Sequence, residues 1–442
     1  MKTVYNLAII NSKIKKMKNK NVAIIGLGYV GLPIAIQSSA KNYSVVGFDL
    51  DKKKIDKIKK GQPPFKDEFI EKRKSFLSKI KVSTNPKIIS QSDIIVVCVP
   101  TPVDEKFYPI LDPLIGAVDC IIKNFKKGAL VVIESTINPG VCEEILVPKF
   151  SEAGLRDGID YFLAHCPERI DPGSKKWNVS NIPRVLGSSS KKGLSLAKEF
   201  YQNIIDAPIK TMASIKEAEA CKVVENSFRD INIAFVNELA KSFDKLGIDV
   251  KEVIDGASTK PFAFMAHYPG RGVGGHCIPV DPYYLIERAK KSGFDHKFLR
   301  VGREINNSMP NYVVEIMQDL LNEIEIPMKG TAIGVLGLSY KANVDDLRES
   351  PALKIIEELK KKQSKVIRFD PYIPQMSDAL NLKSFLKKCQ ALILVTNHQD
   401  FLEIDPIFFK KNKIKAIVDG MNCLDKEKIK KLGIKYRGIG RK

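Results

Sequence analysis

The sequence predicts an α/β protein in which two parallel-sheet lobes flank a helical middle. Short apolar runs alternate with longer helical patterns over about the first 200 residues, the pattern of strands covered by helices. A stretch of some thirty residues, "SIKEAEACKVVENSFRDINIAFVNELAKSFDKLG", then keeps a helical period without internal glycine or proline until Gly247 stops it. From Gly330 the strand–helix alternation returns. A chain of 442 residues has room for two or three cores.

In order, residues 1–20 read as an extension ahead of the first strand, with Met17 as a second candidate start. Its lysines follow its short apolar patch, the wrong order for a signal peptide. "NVAIIG", "YSVVGFD", "DIIVVCVP", "ALVVIEST", "YFLAHCPE" and "PRVLG" read as strands of a first lobe spanning 21–210. Helices occupy 211–325. "TAIGVLGLSY", "SKVIRFDPY", "CQALILVTNH" and "IKAIVDGMN" read as strands of a last lobe spanning 326–442.

Composition narrows the function classes. With 44% hydrophobic and 28% charged residues the chain is globular. No apolar run reaches the ~18 residues of a membrane span, so a soluble cytoplasmic protein is expected. The net charge of +21 comes from lysines spread through every segment, as in "DKKKIDKIKK" and "SFLKKCQ". Such diffuse charge marks solvated faces, and nucleic acid is not an expected partner. Eight cysteines form no CxxC pair and five histidines no HExxH pattern, so no metal site is expected.

"VAIIGLGYVGLPIA" places Gly26, Gly28 and Gly31 as GxGxxG between a strand and a helix. Gly26 permits the tight turn, Gly28 admits a pyrophosphate to the backbone, and Gly31 lets helix and strand pack closely. The helix N-terminus offers amides to phosphate. "VVGFD" ends the next strand at Asp49, where a carboxylate holds ribose hydroxyls and repels a 2′-phosphate. With no arginine beside it, the cofactor read from this Rossmann-like lobe is NAD. Gly334 and Gly337, with Asp370 ending the next strand, echo this arrangement without the full fingerprint. A lobe for a different nucleotide and an empty duplicate both remain open.

On the long helix Lys222, Asn226 and Arg229 share one face. They are either a solvated stripe or a holder for an anionic oxygen. In "GRGVGGHCIPVDPYYL" glycines 272, 274 and 275 precede Cys277, and Asp281 follows between Pro279 and Pro282. The glycines leave room for a large substrate and allow unusual backbone angles. The spacing alone leaves Cys277 open between a packed thiol and a nucleophile.

The chain resembles the nucleotide-sugar 6-dehydrogenases, which include UDP-glucose and GDP-mannose dehydrogenases. The resemblance runs through "GLGYVGLP", "VPTP" (99–102), "ESTINPG" (134–140), "CPERIDPG" (166–173), "ENSFRDINIAFVNEL" (225–239), "GGHCIPVDPYYL" (274–285) and "YKANVDDLRESPAL" (340–353). It implies oxidation of a sugar C6 alcohol to a carboxylate with two NAD⁺ and one water, through a thiohemiacetal and a thioester on Cys277. It further implies that Lys222 and Asn226 stabilise the oxyanion, that Thr136 and Asp281 position water, and that Glu168 is the general acid/base. Tyr29, Val30 and Thr101 fall in its cofactor motifs, and Arg229, Lys341 and Arg348 at positions that meet the sugar nucleotide. Lys341 and Arg348 equally read as ion-pair partners in a charge-rich loop. A homodimer or larger homo-oligomer, built through the central domain, is implied as well.

Within the family "KPFAFMAHYPGRGVGGHCIPVDP" is most similar to the branch acting on UDP-N-acetylglucosamine and related UDP-N-acetylhexosamines, so UDP-N-acetylglucosamine is the expected substrate. UDP-N-acetylmannosamine, UDP-N-acetylgalactosamine and UDP-glucose are the alternatives. Three positions depart from the pattern. Pro172 stands where the UDP-glucose branch has a second glutamate, Ala263 replaces a glycine, and Arg271 replaces a proline. Arg271 either reaches a substrate phosphate or faces solvent.

Overall fold

The computed structural model describes residues 20–442 except 66, 105–107, 171–175 and 276. The expected extension, apart from Lys20, lies outside the described residues, as do Pro172 and His276. The chain divides into two compact units, one running through Glu225 with Tyr283–Arg288, the other Asn226–Pro282 with Ala289–Lys442.

The first unit holds eight strands: β1 (Asn21–Ile25), β2 (Ser44–Phe48), β3 (Lys81–Ser83), β4 (Ile94–Val97), β5 (Ala129–Ile133), β6 (Tyr161–His165), β7 (Arg184–Ser188) and β8 (Ile209–Thr211). Their order in the sheet is β3-β2-β1-β4-β5-β6-β7-β8. Val22 and Ile24 enter the core on one face, Ala23 and Ile25 the core on the other. A strand buried on both faces reads as a continuous apolar run, which is why β1, β4 and β5 are legible. Helices α1 (Gly31–Ala40), α2 (Lys52–Lys59), α3 (Asp112–Asn124) and α4 (Lys191–Ile204) connect the strands. β1 lies between β2 and β4, the point where the strand order reverses and open α/β sheets place their ligands.

The sheet is parallel as expected except at one pairing: β7 runs antiparallel to β6, Ala164 opposite Ser188 and His165 opposite Gly187. Parallel neighbours need a long crossover, usually a helix, and no helix separates β6 from β7 among the described residues. The short strands β3 and β8 lack the apolar runs that marked the others.

Helix α5 (Ile215–Leu246) begins in the first unit and continues into the second. α6 (Val250–Ser258), α7 (Asp281–Lys291) and α8 (Lys297–Asn322) complete the helical middle. The second unit carries a five-stranded parallel sheet, β10-β9-β11-β12-β13, from β9 (Ala332–Leu336), β10 (Lys365–Phe369), β11 (Ala391–Leu394), β12 (Ala416–Asp419) and β13 (Lys435–Gly438). Helix α9 (Pro351–Lys361) follows β9. Val236 and Ala240 of α5 and Met309, Val313 and Met317 of α8 share a core with Ile333 and Val335 of β9. No helix among the described residues is long and apolar enough to cross a membrane.

Candidate active site

The cofactor end of the first unit is shaped by its glycines. Gly26 has φ +88°, and a Cβ there would sit 2.6 Å from the Cys98 carbonyl oxygen. A Cβ on Gly31 would lie 1.9 Å from the Gly26 carbonyl oxygen, whereas at Gly28 it would meet nothing within 4 Å. Gly26 and Gly31 are therefore required by the fold, and Gly28 leaves the backbone open to a ligand. No side chain caps the N-terminus of α1 among the described residues; the Leu32 amide donates to the Gly28 carbonyl at 3.1 Å and Pro33 has no N–H. Val30 precedes the helix, and the exposed Tyr29 ring lies 4.1 Å from that of Phe65.

Asp49, next after β2, anchors the turn: its Oδ2 accepts from Leu27 N at 2.8 Å and its Oδ1 from Asp51 N at 2.9 Å. Lys54, on the first turn of α2, donates to Asp49 Oδ2 at 2.7 Å. Sequence reasoning missed Lys54; its signal was a cation just beyond the strand-ending aspartate. Thr101 is buried, its hydroxyl donating to the Thr136 carbonyl at 2.6 Å while its own carbonyl accepts from Tyr284 Oη. The open turn at Gly28 and the carboxylate of Asp49 after β2 fit NAD.

The loops after β5 and β6 carry Thr136 and Glu168. The Glu168 amide donates to the Glu134 carbonyl at 3.2 Å, joining the two loops. Beneath them lies a buried cluster that the sequence reading did not identify. Glu134 accepts from Tyr201 Oη at 2.5 Å and from Arg184 Nη1 at 3.4 Å, and the same Nη1 reaches the Pro167 carbonyl at 3.4 Å. Burial lifts the Glu134 carboxyl above its ordinary value against the pull of Arg184 and Tyr201. The one available signal was an arginine heading the otherwise apolar run of β7. Glu219 of α5 accepts from Gly140 N at 2.5 Å and Cys142 N at 2.9 Å, tying the turn after Thr136 to that helix. One turn on, Lys222 Nζ stands 4.0 Å from Glu168 Oε2, both side chains nearly buried. The expected polar stripe is thus graded: Lys222 is buried, Asn226 half-buried and Arg229 exposed.

In the second unit Cys277 is half-buried in the loop before α7. Its carbonyl accepts from Asp281 N at 2.8 Å and Val280 N at 3.1 Å. Asp281, buried at the start of α7, accepts from Asn226 Nδ2 at 2.5 Å. The Cys277 main chain, the Asp281 carboxylate and the Asn226 amide are thus linked through one helix start. Among the thiols packed in cores, burial pushes Cys166 and Cys389 up to about 12.

The expectation that the glycines leave room for substrate is corrected at 274 and 275. A Cβ on Gly274 would lie 2.7 Å from the Glu349 carbonyl oxygen, and one on Gly275 2.7 Å from the Tyr340 ring. Gly272 and Gly275 also hold φ of 110° and 91°. Gly274 and Gly275 let the thiol loop pack against the 340–349 loop, while Gly272 lies against Asn306 of α8, 3.0 Å from where its Cβ would be. Arg271 does not face solvent: it is buried, with Nη2 donating to the Tyr340 carbonyl at 2.8 Å. Arg348 pairs with Asp346 at 2.6 Å in its own loop, and its carbonyl accepts from Gly275 N at 3.0 Å. Lys341 is half-buried in the same loop.

The second lobe departs from a dinucleotide site at Asp370. This residue follows β10 as Asp49 follows β2 and likewise takes the amide after the glycine, Leu338 N at 2.7 Å, but it also accepts from Ser339 N at 3.0 Å and faces His398 Nε2 at 3.1 Å where Asp49 has Lys54. Among the described residues no group of His, Cys, Asp or Glu could hold a metal ion.

The first unit, with its open fingerprint turn and an aspartate closing the second strand, has the form of a dinucleotide-binding domain of the dehydrogenase class. Family models of the UDP-glucose/GDP-mannose dehydrogenases match the chain over residues 20–205 (NAD binding domain), 216–308 (central domain) and 334–426 (UDP binding domain). The UDP-N-acetyl-D-mannosamine dehydrogenase of Pyrococcus horikoshii is 36% identical over 424 residues, covering 95% of this chain and 99% of the relative. The UDP-N-acetyl-D-glucosamine 6-dehydrogenase of Pseudomonas aeruginosa is 40% identical over 361 residues, covering 81% and 84%. The solved UDP-D-ManNAc dehydrogenase from Pyrococcus horikoshii superposes with a TM-score of 0.90 at 35% identity, covering 95% of this chain and 99% of that one. The chain belongs to the UDP-glucose/GDP-mannose dehydrogenase family, and its activity is that of an NAD-dependent nucleotide-sugar 6-dehydrogenase.

Proposed function

We propose that this protein is a UDP-N-acetyl-D-glucosamine 6-dehydrogenase, oxidising the sugar C6 alcohol to a uronate with two NAD⁺ and one water. The observation that carries the reading is the half-buried Cys277, whose carbonyl takes the Asp281 amide while Asp281 takes Asn226. NAD⁺ accepts one hydride in each of the two oxidations. Cys277 Sγ adds to the C6 aldehyde, forming a C–S bond as the carbonyl oxygen takes up a proton. Oxidation of this thiohemiacetal leaves a thioester. Water then adds to the thioester carbon, the C–S bond breaks, and the thiolate leaves as the carboxylate forms.

Lys222 and Asn226 donate to the oxyanion at each addition. Asn226 Nδ2 has a second N–H for this beside the one given to Asp281. Thr136 and Asp281 position the water, and Glu168 takes and returns protons. Arg229, Lys341 and Arg348 contact the nucleotide sugar. The free cysteines among the described residues fit a cytoplasmic setting. Exposed Phe228 and Phe235 on α5 and Phe298 on α8, at 51%, 52% and 72%, support a homodimer through the helical middle.

UDP-N-acetyl-D-mannosamine is the second reading, favoured by the relatives of that name from Pyrococcus horikoshii and Methanococcus vannielii, each aligned over at least 95% of this chain. A panel of UDP-N-acetylglucosamine, -mannosamine, -galactosamine and UDP-glucose, followed by NADH formation, tests the assignment. The highest kcat/KM falls on UDP-N-acetylglucosamine; a preference for another sugar transfers the assignment to it.

A further inference from the structure

Arg271 is a buried guanidinium with no carboxylate paired to it among the described residues. Burial pushes its pKa down to about 10, against a weak opposing influence of Cys423. Its side chain spans two loops of the second unit, with Nη2 on the Tyr340 carbonyl at 2.8 Å and Nη1 against the Met421 sulfur at 2.9 Å. Its own amide donates to the Gly420 carbonyl at 3.1 Å.

Both supports are fixed in turn. Asp419 ends β12 buried, accepting from Met421 N at 3.1 Å, Leu424 N at 2.7 Å and Tyr436 Oη at 3.0 Å. On the other side, the Tyr340 amide donates to the Asp346 carbonyl at 3.0 Å. The loop then runs from Arg271 to Cys277 with Gly274 and Gly275 pressed on Glu349 and Tyr340. Upstream, Gly270 N donates to Asn237 Oδ1 at 2.9 Å, and Asn237 bonds Asn306 at 2.8 Å, so the loop's start is pinned to α5 and α8.

We propose that Arg271 is a positioning residue that sets the Cys277 loop in register on the two nucleotide-lobe loops holding Tyr340 and Met421. It acts through main-chain and sulfur contacts rather than by touching substrate. A buried cation without a counter-charge is costly, so the site keeps its geometry only while both loops supply their acceptors. This rests on the proposed role of Cys277 as nucleophile.

The test compares Arg271→Met and Arg271→Lys with wild type. UDP affinity is read by calorimetry, kcat on the preferred UDP-sugar, and the alkylation rate of Cys277 by iodoacetamide. R271M binds UDP within about threefold of wild type while kcat falls about 20- to 100-fold, the scale of a small misplacement of a reacting group. R271K, which keeps the charge and one donor, loses only about 3- to 10-fold. Should R271M not fold, R271K alone decides on the same terms. Unchanged kcat, or UDP affinity lost in step with kcat, overturns the proposal. The alkylation rate needs no sugar substrate and shifts at least about threefold in R271M if the loop moves. An altered thiol rate beside wild-type inactivity on every sugar therefore refutes the substrate reading, not this one.

Discussion

His398 Nε2 donates to Asp370 Oδ2 at 3.1 Å, and neither side chain is exposed. His398 Nδ1 accepts from Asn343 N at 2.8 Å, so the ring proton facing Asp370 sits on Nε2. The pair gives Asp370 an imidazole partner where Asp49, at the matching place after β2, has the Lys54 ammonium. The second lobe keeps the strand–turn–helix frame of a dinucleotide fold and spends its acid on holding residues 338–343, the segment that carries Lys341.

This relationship sets a pH dependence. Burial raises the Asp370 carboxyl, but the His398 hydrogen bond and the Leu338 amide outweigh it, leaving the group below the usual 3.8. A depressed folded pKa contributes stability that is fully present above 3.8 and lost as pH falls through the folded value. Melting temperatures of wild type and Asp370→Asn should therefore differ most at neutral pH and converge in acid. A gap that widens in acid would contradict this.

Lys54 and Asp49 make a second measurable pair. Lys54 Nζ holds Asp49 Oδ2 at 2.7 Å, placing a cation on the carboxylate that bonds the fingerprint turn at Leu27 N. Lys54→Ala should raise the KM for NAD⁺ about tenfold, some 1.4 kcal/mol, with kcat nearly kept.

Glu134 and Arg184 lie fully buried beneath the loops of Thr136 and Glu168. Removing one partner strands the other charge in the core. Arg184→Met should cost about 3–5 kcal/mol by denaturant unfolding, and pairing it with Glu134→Leu should recover part of that loss.

Ala263 holds φ 61° on the exposed segment ahead of the thiol loop. A left-handed alanine is strained where a glycine would not be. Ala263→Gly should stabilise the protein by about 1 kcal/mol, offset in part by the greater freedom of the unfolded chain.

Long apolar strands and the glycine fingerprint were legible because burial on both faces and a ligand-binding turn each restrict residue types sharply. Lys81–Ser83, Ile209–Thr211 and Lys435–Gly438 were not, since edge or short strands need no apolar run. The antiparallel turn to β7 had a signal in the absence of any helical period between His165 and Arg184. Cys277 stood out through its glycines, but what they do was misread. Their crowding by Tyr340 and Glu349 depends on residues distant in the chain, as does the burial of Arg271. The Glu134–Arg184–Tyr201 cluster was hidden for the same reason.

The most direct test counts NADH in single-enzyme endpoint assays with limiting UDP-N-acetylglucosamine and excess NAD⁺, for wild type and Cys277→Ser. Wild type should yield two NADH per sugar and a uronate, while C277S, lacking the thioester route, should lose turnover by about 10³-fold or more and stop short of the second NADH. Two NADH per sugar from C277S at the wild-type rate, or one from wild type, would contradict the account.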